Sequence, residues 1–316
     1  LLRFILIPAG NFLEDERFLS FFYKHRSAGE VSMNNCAQIA GARASRAPGK
    51  PAHCGATTIF AVKSLFVLLF GLVLMIAAGA QTTSQSGYDI MKKANDKPTG
   101  NDMTANVLMK ITSKTGSVKT REFVMYELKQ KDGSSSILIK FLQPADVKGT
   151  SFLTLESGNG EKSQYIYLPS LKKVTRIAAS DKNKPFMGSD LTYDDFGSRK
   201  LDDYSFNLLG EEILEGRACW KIESVSKDTS QSTSKIISLV DKESYIVLKA
   251  DFYDKTGALY KQMVVQKTDK ISGFWTMLEL EMKNLSTGSS TSLKFDVVKY
   301  NTGLSPSMFS KDGLGK

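Results

Sequence analysis

From Met103 onward, apolar side chains recur at every second position in several separate runs. Val107, Met109 and Ile111 share one side of the chain, as do Ile246, Leu248, Ala250 and Phe252. Leu278, Leu280 and Met282 repeat the pattern, and so do Leu293, Phe295 and Val297. Lys110, Lys249, Asp251, Glu279, Glu281, Lys294 and Asp296 fall on the other side. A period of two marks strands with one buried face and one wet face.

Turn signals separate the runs: Thr115-Gly116, Asp132-Gly133, Gly158-Asn159-Gly160, Glu215-Gly216, Thr256-Gly257 and Thr287-Gly288. Glycine turns between β-rich runs mark hairpins, so the chain reads as an antiparallel meander of about ten or eleven strands. That number is too many for a flat sheet, which curls into a barrel or part of one. Helical signals are few. Residues 84–96 place Tyr88, Ile90, Met91 and Ala94 near one face, with a lysine-rich last turn. Ser189 is the expected N-cap of a short helix in "SDLTYDDF", and Ser305 precedes Pro306 in the order expected of a helix start.

The most hydrophobic stretch lies well inside the chain. Lys63 precedes an unbroken apolar run from Leu65 to Ala78, and Ala78-Gly79-Ala80 supplies the small residues of a signal-peptidase site. The run is shorter than the ~20 residues that span a bilayer. Residues 62–80 are therefore expected to be a signal peptide cut after Ala80, and residues 1–61 a mis-assigned or disordered extension, with Val62 as the expected start. Residues 81–316 are then one domain. With no cysteine after Ala80 to take a lipid anchor, the mature protein is expected in the periplasm, exported and soluble.

This boundary changes the available chemistry. His25, His53, Cys36 and Cys54 precede it, leaving Cys219 and no histidine. Nucleophile systems that need histidine, His/Cys zinc sites and a disulfide framework are excluded for the mature chain. The first 80 residues hold 8 of the 42 basic and 4 of the 33 acidic side chains, so the remainder carries +5. Acids and bases are interspersed, which gives nucleic-acid binding little support.

The acidic candidates are Asp190, Asp194, Asp195, Asp202 and Asp203. They lack the alternation and terminal glutamate of a calcium loop. A carboxylate-pair glycosidase would have only Trp220 and Trp275 for sugar stacking. The aspartates are expected instead to cap a helix and answer nearby lysines, with no catalytic, metal or cofactor site. "YIYLPSLKKVTRI" (165–177) reads either as an aromatic and basic surface or as a hairpin with a solvated basic edge. Nine methionines remain after residue 80 and suit either an adaptable cavity or an ordinary core.

"FLQPADVKGTSFL" (141–153), "YIYLPSLKKVTRI" and "PFMGSDLTYDDF" (185–196), in this order, resemble the LolA-like outer-membrane lipoprotein-sorting proteins, in the branch found beside resistance-nodulation-division exporters. Residues 239–263 and 271–284 agree with that resemblance, which covers residues 84–316. It implies a half-open antiparallel β-barrel covered by short helices, and a non-enzymatic periplasmic carrier of lipoprotein or lipid acyl chains. The implied partners are an inner-membrane exporter and an outer-membrane acceptor. A non-shuttling module of the same fold, which senses lipids or assists an exporter, is the alternative. On this resemblance Phe152, Leu153, Tyr165, Tyr167, Leu168, Phe186, Met187 and Phe196 are candidates for the cavity or its lid. Arg176 stands in for the pocket arginine of the better-known sorting proteins.

Overall fold

A computed structural model describes residues 85–158, 160–229 and 231–315. The expected extension and signal peptide lie outside the described residues.

The strands are β1 (Asp102–Thr112), β2 (Val118–Lys129), β3 (Ser135–Gln143), β4 (Ser151–Glu156), β5 (Lys162–Leu168) and β6 (Lys173–Arg176), followed by β7 (Tyr204–Leu214), β8 (Arg217–Ser226), β9 (Thr233–Asp241), β10 (Val247–Asp254), β11 (Leu259–Ile271), β12 (Phe274–Asn284) and β13 (Ser289–Tyr300). All belong to one open sheet in the order β6-β5-β4-β3-β2-β1-β13-β12-β11-β10-β9-β8-β7. Two meanders, one from each half of the chain, therefore meet where β1 pairs with β13. The predominantly β, half-open architecture is as expected, but thirteen strands replace the expected ten or eleven. β7 is the least legible of them, because most of its side chains are exposed on both faces and no alternation marks it.

Among the described residues one α-helix, α1 (Gly87–Asp96), precedes the sheet. Ser86 caps it: its hydroxyl accepts from the Asp89 backbone N–H, while the Asp89 carboxylate accepts from the Ser86 backbone. Ile90, Met91 and Ala94 are buried, as the spacing predicts. Tyr88 is not, because it turns outward and meets Phe206 of β7 edge-on at 6.1 Å. A Cβ on Gly87 would stand 3.0 Å from backbone atoms of β7, so a side chain here would press on that strand and glycine suits the close approach.

One apolar cluster gathers the inward residues of both meanders, including Val107, Phe123, Ile139, Phe152, Met263, Met282 and Phe295, together with Ile90 of α1. A smaller cluster lies on the opposite face of β2–β5. Leu128, Leu138 and Leu153 form it, and the C-terminal residues Phe309 and Leu314 cover it. Asp102 anchors this tail by accepting from the backbone N–H groups of Thr302, Gly303 and Leu304.

The alternation of β13 breaks once. Val297 adopts φ 51°, and the register with β1 shifts between Thr104 and Asn106. This bulge inserts a residue and reverses the facing of the remainder of the strand. Val297 is thus exposed rather than buried with Leu293 and Phe295, and Tyr300 turns inward. Among the described residues, no helix is long and apolar enough to cross a membrane.

Candidate functional site

The meanders are joined by residues 177–203, a strap of short 3-10 turns at Ala179–Asp181, Phe186–Gly188, Tyr193–Phe196 and Leu201–Asp203. Strands β6 and β7 are the two edges of the sheet, so the strap must cross its concave face to connect them. It brings Phe186, Leu191 and Phe196 into the main core, each at most 1% exposed. The rings of Phe186 and Phe196 lie 4.3 Å apart, and Phe186 also meets Phe152 at 5.2 Å and Phe141 at 6.0 Å. Met187 packs at the margin with φ 50°.

Each aspartate of "PFMGSDLTYDDF" ties the strap to something different. Asp190 accepts from Ser289 Oγ at 2.5 Å and Thr291 Oγ1 at 2.8 Å, both on β13. Asp194 pairs with Lys162 of β5 at 2.5 Å. Asp195 accepts from the Thr192 backbone N–H, while Thr192 Oγ1 accepts from the Asp195 backbone N–H. The N-cap of this turn is therefore Thr192, not Ser189. The signal was present in the sequence, since "TYDD" has a threonine three residues ahead of a carboxylate. Ser189 instead donates to the Phe186 carbonyl and stabilises the preceding turn. Asp202 and Asp203 are exposed.

Asp195 is buried and faces two cations, Arg199 Nη2 at 3.4 Å and Lys261 Nζ at 3.6 Å. Burial opposes its ionisation, while Lys261, Arg199 and the Thr192 N–H favour it, and the carboxyl is held below the usual range. Two buried side chains of the floor complete the polar grip. Thr154 Oγ1 donates to the Phe196 carbonyl at 2.8 Å, and Gln164 Nε2 donates to the Tyr193 carbonyl at 2.7 Å.

Beside this apolar plug the strap roofs a cavity of about 430 Å³. Strand register accounts for its floor. Ser224, Ile236, Phe252, Lys261, Asn284 and Ser289 are successive cross-strand partners from β8 to β13, so one row crosses six strands on the concave side. All six line the cavity, and Arg199 joins them from the strap. The concave face thus has an apolar region filled by the protein's own aromatics and a polar region that is open. No local motif announces the polar row, because its members are assembled one from each strand.

The nine expected site residues separate according to strand geometry. Phe152, Phe186 and Phe196 come together in the concave core, with Met187 at its edge. Leu153 is adjacent to Phe152 and so points to the opposite face, where it meets Tyr165 and Tyr167 beneath the C-terminal tail. Leu168 is half-buried and belongs to neither cluster. Arg176 is exposed on edge strand β6 and donates to Ser163 Oγ at 3.2 Å. Arg176 is nevertheless the direct cross-strand partner of Tyr165, so this tyrosine and this base share a face at the edge of the sheet. Among the described residues, no group of three or more His, Cys, Asp or Glu side chains is placed to hold a metal.

A search of curated proteins finds no match. A family model described as "Uncharacterized protein" matches residues 133–316. A DUF1329 family protein from Desulfovibrio piger is 32% identical, with a TM-score of 0.68 over 72% of this chain and 97% of its own. A domain from Vibrio parahaemolyticus, named as an outer membrane lipoprotein-sorting protein, is 31% identical, with a TM-score of 0.68 over 73% and 98%. A LolA superfamily protein from Nitrosomonas europaea shares the fold at 19% identity, with a TM-score of 0.57 over 72% and 98%. A family model spanning more than half of the chain and a relative matched over nearly its whole length agree: the chain belongs to the DUF1329 family and has the LolA-like fold.

Proposed function

We propose that the protein is a non-enzymatic carrier that receives acyl chains on its concave face in exchange for the strap. The observation that carries this reading is how the strap is held. From residue 178 to 202 the described backbone–backbone hydrogen bonds stay within the strap, and side chains alone attach it to the sheet. A segment without a ladder can leave its floor without unzipping a strand.

The energies are of comparable size. Burying Phe186, Leu191 and Phe196 contributes roughly 5–9 kcal/mol, and each methylene buried in their place contributes about 0.8 kcal/mol. An acyl chain of about ten methylenes therefore balances the aromatic plug, and a longer one displaces it. The aromatic and methionine lining tolerates occupants of variable shape.

The cargo class is lipoprotein or lipid, in keeping with the sorting role named for the Vibrio parahaemolyticus relative. Such a carrier would work in the periplasm, between an inner-membrane exporter of the resistance-nodulation-division type and an outer-membrane acceptor. The expected signal peptide at 62–80 fits that placement.

Asp190→Cys combined with Thr291→Cys tests the exchange, because these side chains already touch. The reduced protein should take up a fluorescent long-chain fatty acid, whereas the oxidised protein, with its strap locked, should not. Equal uptake in both states, or none in either, overturns the reading. A module that senses lipid without shuttling it would load normally yet fail to pass labelled lipid to acceptor vesicles.

A further inference from the structure

The open, polar end of the concave face has a charge arrangement that the strap alone does not explain. Asp194 is matched by Lys162, and Asp190 is committed to the Ser289 and Thr291 hydroxyls. Asp195 is then the carboxylate that Arg199 and Lys261 share. Asp194 also acts on Arg199 through space, but neither cation has a close, well-directed hydrogen bond to a carboxylate. Lys261 is only 8% exposed and its ammonium approaches Asp195 no closer than 3.6 Å. Arg199 makes one long hydrogen bond, at 3.4 Å, and its Nε is buried with no acceptor. A guanidinium has five donors in a fixed fork, so most of this one's capacity is unspent. Mostly buried cations in such surroundings favour an added anion.

We propose that this cavity is an anion-binding subsite that takes a phosphate or carboxylate together with neighbouring hydroxyls, as in the headgroup of an anionic lipid. The anion sits between Lys261 and Arg199. Ser224 and the amide N–H groups of Asn284, along the same cross-strand row, are left to hydrogen-bond the hydroxyls. The volume of about 430 Å³ exceeds what one phosphate needs and lies within the usual range for small-ligand sites. The strap closes the cavity on one side through Ser189 and Thr192 and fills the apolar floor on the other through Phe186. A molecule with an anionic head and an acyl tail would therefore meet both regions under one cover. The tail's placement rests on the carrier reading; the anion's does not.

Calorimetric titration of the protein with three probes separates the possibilities: inorganic phosphate, a lysophosphatidate, and the monoacylglycerol of the same chain length. The lysophosphatidate should bind roughly tenfold or more tightly than the monoacylglycerol, as expected for charge-assisted hydrogen bonds. Inorganic phosphate should compete with it, and added salt should narrow the gap. Lys261→Gln or Arg199→Gln should erase the ratio between the two lipids, whereas any loosening of the strap would change both affinities alike. The salt and competition arms need no variant, so a misfolded substitution does not remove the test. Equal affinity for the two lipids overturns the subsite and leaves the carrier intact, as does a preference that survives both substitutions. Binding of phosphate without either lipid supports a free-anion site and removes the carrier.

Discussion

Lys97 follows the last turn of α1 with its amine buried and without a hydrogen-bond acceptor. Burial pushes its pKa down to about 7, against the opposing pull of Glu127. Between about 7 and the ordinary 10.5 the unfolded chain binds a proton that the folded chain does not, so this group lowers stability as pH falls through that window. Lys97→Met should stabilise the protein at pH 6 by about 1–3 kcal/mol in denaturant unfolding, with the gain fading towards pH 10.5. Asp195 behaves in the opposite sense. Its carboxyl is held below the ordinary 3.8, so its contribution is complete above that value and is lost only in stronger acid. Asp195→Asn leaves Arg199 and Lys261 without their shared anion and should cost about 3–5 kcal/mol at neutral pH. Unfolding curves should show that gap constant down to about pH 4 and shrinking below it.

At the scale of the element, the strap should be able to open alone. Asp190→Ala removes two hydroxyl contacts to β13 and should lower local protection by about 1–2 kcal/mol. Hydrogen exchange is then expected to quicken across 183–197 while amides of β2 and β3 keep their rates. Equal acceleration everywhere would mean that the strap and sheet open as one unit. Legibility in the sequence depends on the range of each signal. Capping of α1 by Ser86 and hairpin turns at Gly116, Gly133, Gly257 and Gly288, all at positive φ, depend on neighbours a few positions away. The inward facing of Phe152 and Phe123 comes from alternation within one strand. Lys261 gave no such signal: "YKQMVV" reads as an ordinary edge of a strand, and only pairing with Phe252 and Asn284 places it on the cavity floor. The bulge at Val297 was hidden for the same reason, since it exists only relative to β1. Leu153 and Phe152 belong to the same resembling motif, but neighbours in a strand point to opposite faces, and a motif does not say which face lines the cavity.

At the scale of the whole molecule, the sheet is covered on both faces, by α1 and the strap on one side and by the C-terminal tail on part of the other. Phe309 is 5% exposed and seals the outer cluster. Phe309→Ala should cost about 3–5 kcal/mol in thermal or denaturant unfolding. Leu171→Ala, at a residue 65% exposed, should stay within about 0.5 kcal/mol. The pairing of β1 with β13 has a further effect, on the time course of folding. Met103 and Tyr300 are cross-strand partners, yet almost the entire domain lies between them in the chain. The central seam cannot form until the last strand is available, and long-range pairings of this kind fold slowly. Until then β1 has an unpaired side at what becomes the middle of the sheet, an invitation to aggregation. A nascent chain of this protein therefore stays unfinished until Tyr300 and its strand have been made, so closing the seam is a late event in its synthesis.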